Sequence, residues 1–241
     1  MPIALFVIVG FAAIALMSMV LHEYAHGYVA YLSGDYTAEA MGRLSLNPIR
    51  HIDPVMTIIV PIALLWMTNG RFVFGGAKPV PVNPYNFRHR RRDSRLVSAA
   101  GVTTNLLIAL LLGLVLQATL AAGLFQVDPV PPYGKTSAGA IVLGMGILFN
   151  VMLFAFNLAP IPPLDGSRIL RSFLPAHLEA VMDRMDRFGI FILILLLNVF
   201  PAFFIVIRLV IGFVWAYVLR LRLDYLDAIY GGFQAAISNL L

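Results

Sequence analysis

Apolar residues occur in long, nearly uncharged runs along this 241-residue chain, and runs of that length predict helices that cross a membrane. The first run extends from about Ile3 to Leu32. Two others, Leu96 to Leu124 and Ala138 to Leu158, also reach the roughly 20 residues that a membrane span requires. A shorter run, Pro54 to Met67, contains Pro61, which disturbs a helix. This segment is predicted either to cross at a tilt or to dip into the membrane and return.

The last apolar block, Phe188 to Leu219, is too long for one ordinary span. Asn198 and Pro201 interrupt it, and basic residues follow it. We therefore expect a helical hairpin over about residues 188–223 that ends at the cytoplasmic face. An amphipathic segment, roughly Pro175 to Arg187, precedes this block.

Residues 71–87 have a different composition from the apolar runs. Aromatic residues and valines are combined there with a Gly-Gly pair and repeated prolines, which favours an extended segment or a small hairpin over a helix. Together the patterns predict an all-α polytopic membrane protein with about six hydrophobic segments. We expect a single domain over residues 1–241, with a core over about residues 3–172.

The composition and the distribution of charge agree with a membrane protein. Hydrophobic residues make up 60% of the chain and charged residues 12%, whereas about a quarter of a soluble domain is charged. Basic residues follow the first span at Arg43 and Arg50, precede the third at residues 88–95, and follow the fourth at Arg168 and Arg171. Because basic residues concentrate on the cytoplasmic side, we place the N-terminus outside and these segments inside, next to the lipid bilayer. The net charge of +5 thus indicates topology, and no nucleic-acid partner is expected.

A metal-binding motif lies near the predicted inner end of the first span. His22, Glu23 and His26 form an HExxH sequence. Residues four apart share one face of a helix, so both imidazoles can bind one ion with Glu23 beside them. The chain has no cysteine, so a third ligand must be another histidine or a carboxylate. His22 would lie about ten residues, or roughly 15 Å, from the end of the helix, at a depth where ionisable groups usually serve a function.

A second polar sequence follows the fourth span. Prolines in NLAPIPPLDG, residues 157–166, must break the helix. Irregular backbone at membrane depth is stable only when protein or a watery cavity surrounds it. Asp165 alone would be more typical of a turn, but beside HExxH it becomes the candidate third ligand. The amide of Asn157 would be costly in lipid unless it bonds a neighbouring helix or a substrate carbonyl, and both alternatives stay open.

These motifs resemble those of the site-2 protease family, the intramembrane zinc metalloproteases that cut transmembrane substrates. HEYAH and NLAPIPPLDG carry the resemblance, with SAAGVTTN between them. The flanking sequences MGRLSLNPIRHIDP and FGGAKPVPVNPYNF are similar to those of its short prokaryotic members, which lack PDZ and CBS domains. The similarity spans roughly residues 15–172. One departure is Val102, where the family often has a proline before the asparagine that is here Asn105. We expect this motif to serve close helix packing through small residues.

The resemblance implies an activity and the residues that perform it. The expected reaction is hydrolysis of peptide bonds in or near the transmembrane segment of a single-span membrane protein. The expected location is a prokaryotic cell membrane, with the active site toward the cytoplasm. The implied ligands of one zinc ion per chain are His22, His26 and Asp165. Glu23 is the implied catalytic base, and Asn157 is the candidate that polarises the scissile carbonyl.

A helical substrate must unwind locally before it is cut, because the carbonyls of a helix are hydrogen-bonded. If residues 71–87 form a hairpin with a free edge, an unwound substrate could pair with it as an added strand. This hypothesis makes Gly75 and Gly76 candidate substrate contacts, and a simple packing loop is the alternative. Asn105 is a further candidate contact.

Two other functions are compatible with polar residues inside a membrane. A metal-ion transporter would need several ligand clusters along its path, whereas the polar residues here gather near one end of the predicted spans. A catalytically inactive scaffold would most simply have lost a motif residue, and none is lost. His51 and His89 are predicted to be solvated, and His177 is assigned no role. The sequence leaves the substrate and the oligomeric state open.

Overall fold

The computed structural model describes residues 2–67, 75–131, 135–189, 191–192, 195 and 201–239. Within these residues the chain is helical or irregular and contains no strand, which confirms the all-α fold class. In chain order the α-helices are α1 (Pro2–Leu32), α2 (Thr37–Ala40), α3 (Val60–Met67), α4 (Arg90–Ala121), α5 (Ala138–Leu158), α6 (Asp165–Arg171), α7 (Ala176–Asp186), α8 (Pro201–Phe213) and α9 (Asp224–Ser238).

Three of these helices, α1, α4 and α5, are long and apolar enough to cross a membrane, and they pack against one another. The beginnings of α1 and α5 meet, since Val7 shares a hydrophobic cluster with Ile141. The beginning of α4 meets the end of α1, where Val97 and His26 are hydrogen-bonded. α1 and α5 therefore run in one direction and α4 in the other. This arrangement brings the end of α1, the beginning of α4 and the end of α5 to the same end of the bundle.

The predicted spans agree closely with α1 and α5, but α4 begins at Arg90 and not at Leu96. Hydropathy marks only the apolar part of a helix, whereas arginine is a good helix former and continues it. Asp93 stabilises the charged first turn, because its buried carboxylate accepts a hydrogen bond from the backbone N–H of His89 at 2.8 Å. We call this end of the bundle, marked by the arginines of the first turn of α4, the basic end.

The second apolar segment forms a π-helix, Pro54–Ile59, that continues into α3. The side chain of Asp53 caps it by accepting hydrogen bonds from the N–H groups of Val55 and Met56 at 2.9 Å each. The combined helix is shorter than the roughly 20 residues of an upright span. A second short apolar helix covers Ile205–Val218. The described residues therefore contain three candidate spans, and the predicted count of six hydrophobic segments is not confirmed.

Among the described residues, the core with the most buried members lies toward the end of the bundle opposite the basic end. Leu116 of α4, Ile147 of α5 and Trp215 are almost completely buried in it. α9 closes this end by packing on α1 and α5, where Phe233 meets Phe11 edge-on with ring centroids 5.0 Å apart. The apolar residues of α9 recur at helical spacing, but no element was predicted for this part of the chain.

The segment from residue 188 to residue 223 connects opposite ends of the bundle, which corrects the predicted hairpin. At its beginning, Gly189 lies against Pro163, next to α6. At its end, the backbone carbonyl of Leu219 accepts a hydrogen bond from Nε2 of Gln117, near the C-terminus of α4. A hairpin would return both ends to one side of the membrane.

The arginines that follow this segment explain the wrong prediction. The concentration of basic residues on the cytoplasmic side suggested that Arg220 and Arg222 lie there. In the structure both arginines follow Leu219 at the end of the bundle opposite the basic end, where Arg222 forms an ion pair with Asp224 at 2.5 Å. Residues 190, 193–194 and 196–200, which include Asn198, lie outside the described residues.

Residues 75–83, which we call the proline connector, form an irregular segment without strand pairing, and residues 71–74 lie outside the described residues. The N–H of Gly76 donates to the carbonyl of Met56 at 3.0 Å, and the N–H of Lys78 donates to the carbonyl of His51 at 2.8 Å. Because proline has no N–H, the connector offers few donors to an added strand. The described part of the predicted hairpin is therefore a packed segment without strand pairing, and the hairpin is not confirmed.

The carboxylate of Asp35, just after α1, holds the end of the proline connector. It accepts hydrogen bonds from the backbone N–H of Asn83 at 2.7 Å and from the side-chain amide of Asn86 at 2.8 Å. Burial raises the pKa of Asp35, but its hydrogen bonds, which include those from Thr37, outweigh burial and lower the pKa below its usual range. Asp35 is therefore an ionised anchor that ties the connector to α1.

His51 is fully buried, so the prediction that it is solvated is wrong. Its Nε2 donates a hydrogen bond to the carbonyl of Ser45 at 2.7 Å. The chain after α2 folds back on itself, with Arg50 donating to the carbonyl of Gly42 at 2.6 Å, and this fold encloses the ring. His89 is exposed, as predicted.

Candidate metal centre

Three potential ligand side chains meet near the basic end of the bundle. His22 and His26 lie one turn apart on α1, and Asp165 is the first residue of α6. Nε2 of His22 lies 3.0 Å from Nε2 of His26, and Oδ2 of Asp165 lies 3.3 Å and 3.1 Å from those two nitrogens. All three residues are buried. Within the described ranges, this is the one group of histidine and acidic side chains arranged to hold a metal ion.

Hydrogen bonds at the outer nitrogen of each imidazole direct the inner nitrogen to the centre of this group. Nδ1 of His26 lies 2.7 Å from the carbonyl oxygen of Val97, which can only accept, so Nδ1 carries the proton. Nδ1 of His22 lies 2.6 Å from Oδ1 of Asn105 and donates to it in the same way. The Nε2 atom of a neutral imidazole then has a free lone pair. Two lone pairs and a carboxylate oxygen therefore converge on one point.

Asp165 reaches the centre because the chain reverses sharply after α5. Residues 159–164 make the reversal, and a side chain on Gly166 would overlap the carbonyl oxygens of Leu158 and Ala159. Only glycine permits this close approach. In its ionised form the carboxyl of Asp165 supplies the oxygen that a metal binds.

The three side chains fit a zinc ion. Tetrahedral zinc with ligands at about 2.0–2.1 Å separates its ligand atoms by about 3.3 Å, and the separations here are 3.0, 3.1 and 3.3 Å. Imidazole nitrogen and carboxylate oxygen are common zinc ligands, and a set of three leaves a fourth position for water. This donor set is therefore typical of a catalytic zinc site and not of a closed structural one.

Glu23 lies beside this group on α1 and is held by the proline connector. The backbone N–H of Val80 donates to Oε2 of Glu23 at 2.7 Å. The side chain of Val80 is buried against α1, where a Cβ on Gly27 would lie 2.8 Å from it. Because Pro79 and Pro81 have no N–H, Val80 supplies the one backbone donor of this tripeptide. The described residues place no hydrogen bond on Oε1, which remains available for a proton.

Gly101 of α4 leaves room for the two imidazoles. A Cβ atom at this position would lie 2.6 Å from Cε1 of His26 and 2.7 Å from Cε1 of His22, far inside van der Waals contact. The SAAGVTTN motif thus allows close packing of small residues, as expected, and this packing brings α4 directly against the two candidate ligands.

Asn105 was predicted to be a candidate substrate contact, but its side chain lies inside the bundle. Its side chain is fully buried. Its Oδ1 accepts from His22, and its Nδ2 donates to Oδ1 of Asn150 at 3.1 Å. Both atoms of the amide are therefore engaged inside the protein, so Asn105 is placed to orient His22 and not to contact a substrate.

The remaining candidate residues lie around this centre without joining it. Asn157 is half-buried near the end of α5, and its side chain forms no hydrogen bond with another described residue. Gly75 packs against the second apolar segment, where a Cβ would lie 2.6 Å from Cγ of Pro61, whereas Gly76 has no atom within 4 Å of such a Cβ. Substrate contacts at Gly75 and Gly76 stay predictions.

Several contacts of the site were not predicted from the sequence. The carbonyl of Val97 and the N–H of Val80 are backbone groups, and no sequence pattern identifies their partners. The sequence could have indicated polar partners for Asn150 and Ser18, because a polar side chain within an apolar run is costly in lipid unless it forms a hydrogen bond.

Comparison with known proteins adds a family relationship. The chain is 38% identical over 192 residues to a protein of Bacillus subtilis provisionally named zinc metalloprotease YwhC. This alignment covers 77% of this chain and 78% of that protein. It is 29% identical over 182 residues to a protein of Mycolicibacterium smegmatis provisionally named zinc metalloprotease Rip2, and 32% identical over 187 residues to the protein of that name from Mycobacterium tuberculosis. These two alignments each cover 76% of this chain and 64% of the mycobacterial protein. No protein-family model and no solved structure matches the chain.

Proposed function

Because this chain belongs to the site-2 protease family of zinc metalloproteases, we propose that it hydrolyses peptide bonds in or near transmembrane segments of other membrane proteins. The observation that supports this proposal is the meeting of His22, His26 and Asp165 beside Glu23 on a helix long enough to cross a membrane. These are the residue types of a zinc hydrolase site, and three of them lie on a helix of membrane-spanning length.

The depth of the site supports a substrate that lies within the membrane. His22 precedes the end of α1 by about ten residues, or roughly 15 Å at 1.5 Å per residue. Gly101, which faces it, follows the beginning of α4 by about eleven residues, or roughly 16 Å. Both helices therefore place the site at a similar distance inside the basic end. We place this end at the cytoplasmic face of a prokaryotic cell membrane, because arginines concentrate on that side.

In the proposed reaction the side chains have three different roles. His22, His26 and Asp165 would hold one zinc ion, which when bound lowers the pKa of a coordinated water toward neutrality and polarises a carbonyl. Glu23 accepts a proton from the attacking water at its unbonded oxygen and delivers it to the leaving nitrogen. Asn157, whose amide is not engaged by the described residues, can donate to the scissile carbonyl.

We expect replacement of Val80 by proline to impair catalysis without loss of zinc. The substitution removes the N–H that holds Glu23, and proline fits the extended backbone to which the following Pro81 restricts this position. A hydrogen bond to a charged acceptor contributes about 1.5–3 kcal/mol, so cleavage should slow by roughly tenfold or more. Val82→Pro is the matched control, because no described residue accepts a hydrogen bond from the N–H of Val82. Equal rates in Val80→Pro and Val82→Pro would contradict a role for this contact.

The two rival functions are less well supported. A metal-ion transporter needs a succession of ligand clusters across the membrane, and the described residues contain a single cluster. An inactive scaffold has no need of a carboxylate held beside that cluster with one oxygen unbonded. Proteolysis accounts for both features.

The test is a search for new protein ends in solubilised membranes treated with the purified protein. We expect the wild type to create ends within apolar segments of single-span proteins. Cleavage should stop with a zinc chelator and return when zinc is added. The Glu23→Gln variant is the inactive control, which identifies protein ends that do not depend on Glu23. New ends confined to soluble domains, or cleavage that the chelator does not affect, would contradict the proposal.

A further inference from the structure

A row of buried polar side chains runs from the metal centre into the middle of the bundle. We propose that Asn150 and Ser18, at the far end of this row, are positioning residues that fix the orientation of the ligand His22. Asn150 is 0% exposed and Ser18 is 1% exposed, and Asn105 between them and His22 is 0% exposed. The inference rests on the metal site of the proposed function and extends it to residues that no part of the catalytic step requires.

Consecutive hydrogen bonds join the members of this row across three helices. Nδ2 of Asn105, on α4, donates to Oδ1 of Asn150, on α5, at 3.1 Å. Nδ2 of Asn150 donates to Oγ of Ser18, on α1, at 2.8 Å and to the backbone carbonyl of Gly146 at 2.9 Å. The hydroxyl of Ser18 donates to the backbone carbonyl of Ile14 at 2.8 Å.

The backbone carbonyls at the end of the row set the direction of every bond. The carbonyl of Gly146 can only accept, so the NH₂ group of Asn150 must point toward it. The hydroxyl of Ser18 already gives its proton to a carbonyl and can only accept from Asn150. The oxygen of Asn150 therefore faces Asn105, whose NH₂ group must turn toward it. The oxygen of Asn105 then faces His22, so Nδ1 of His22 donates and its Nε2 is left for the metal.

Without Asn150 this direction is no longer fixed. The oxygen and the NH₂ group of an amide are similar in size, so Asn105 could rotate by half a turn. Its NH₂ group would then face Nδ1 of His22, and the proton of the imidazole would move to Nε2, which could not bind zinc. Residues that orient a metal ligand in this way typically change metal affinity by about 10–100-fold when they are replaced.

A purely structural role would have a different consequence. Hydrogen bonds between membrane helices stabilise their association, so loss of Asn150 could lower stability without any specific effect on the metal. Ile147, fully buried one turn earlier on α5, offers the matched control, because its truncation weakens packing and removes no polar contact.

The experiment compares Asn150→Leu with Ile147→Ala in the whole protein in detergent. Zinc affinity is measured by competition with a chelating dye, Co²⁺ absorption reports the ligand set, and thermal unfolding of the metal-free protein reports stability. We expect both variants to unfold at a lower temperature, but only Asn150→Leu should lose zinc affinity, by about tenfold or more. Ser18→Ala should show a smaller loss of zinc affinity. If Asn150→Leu does not fold, Ser18→Ala replaces it in the comparison with Ile147→Ala.

A second arm uses the Asn105→Asp variant. A carboxylate has two equivalent oxygens, so it accepts from His22 whichever way it turns. In this variant, addition of Asn150→Leu should cause no further loss of zinc affinity.

Three results would overturn the inference: unchanged zinc affinity in Asn150→Leu, an equal loss in Ile147→Ala, or the full loss in the Asn105→Asp background. A wild-type protein that binds no zinc would contradict the proposed function itself, which distinguishes the two failures.

Discussion

Replacement of Gly101 by alanine is expected to abolish zinc binding and, with it, all peptide cleavage. The added Cβ would lie 2.6 Å from Cε1 of His26 and 2.7 Å from Cε1 of His22. Neither ring can move away easily, because each is held at Nδ1, by Val97 and by Asn105. The imidazoles must therefore lose the positions that bring their Nε2 atoms together. Metal analysis of the purified variant should find far less than one zinc ion per chain.

Stability provides a way to separate this effect from misfolding. Alanine is favoured over glycine within a helix by about 1 kcal/mol, so α4 itself should form in the variant. Gly212→Ala is the control, since a Cβ at this position in α8 has no atom within 4 Å. We expect the control to retain its zinc. A folded Gly101→Ala protein with a full complement of zinc would show that α4 is not packed against the ligands as described.

Replacement of Glu23 by glutamine should leave zinc in place and reduce the rate of peptide cleavage by about a thousandfold. Glutamine has nearly the same shape as glutamate, and its oxygen can still accept the hydrogen bond from Val80. It cannot take a proton from water at neutral pH, and the loss of a general base costs roughly 10²–10⁴-fold in rate. The measurement is the cleavage rate of a transmembrane substrate together with the zinc content of the same sample.

Glu39→Gln is the matched control for this change. Glu39 lies on α2 with its side chain exposed, so the same chemical substitution should leave both rate and zinc content unaltered. Equal rates for Glu23→Gln and the wild type would remove Glu23 from the reaction. Loss of zinc in Glu23→Gln would instead show that this residue holds the metal site together.

The sequence was sufficient to predict the features that depend on local periodicity. Helical spacing places His22 and His26 on one face of α1 whatever surrounds the helix. The prolines before Asp165 end α5 in the same way, because proline cannot continue a helix. The long apolar runs likewise determine α1 and α5 almost to the residue. In the structure these elements bring the three predicted ligand side chains within 3.3 Å of one another.

Features that depend on contacts between distant segments could not be predicted in this way. Position 101 requires glycine because α4 packs against the two imidazoles of α1, and the sequence does not show this contact. The partner of Asn105 depends on the register of three helices, so a buried amide was mistaken for a substrate contact. The hairpin over residues 188–223 was predicted because Arg220 and Arg222 were assigned to the cytoplasmic side, whereas both follow Leu219, which lies at the opposite end of the bundle. In each instance the residue type was informative, but its partner was set by packing.

X-ray absorption spectroscopy of the purified wild-type protein at the zinc edge tests the metal centre most directly, together with metal analysis of the same sample. We expect about one zinc ion per chain, with two imidazole nitrogens and only oxygen besides, at about 2.0–2.1 Å. In Asp165→Ala the zinc should be lost or weakly held. A wild-type protein without zinc, or with zinc whose surroundings are the same in Asp165→Ala, would contradict the assignment of His22, His26 and Asp165 as its ligands.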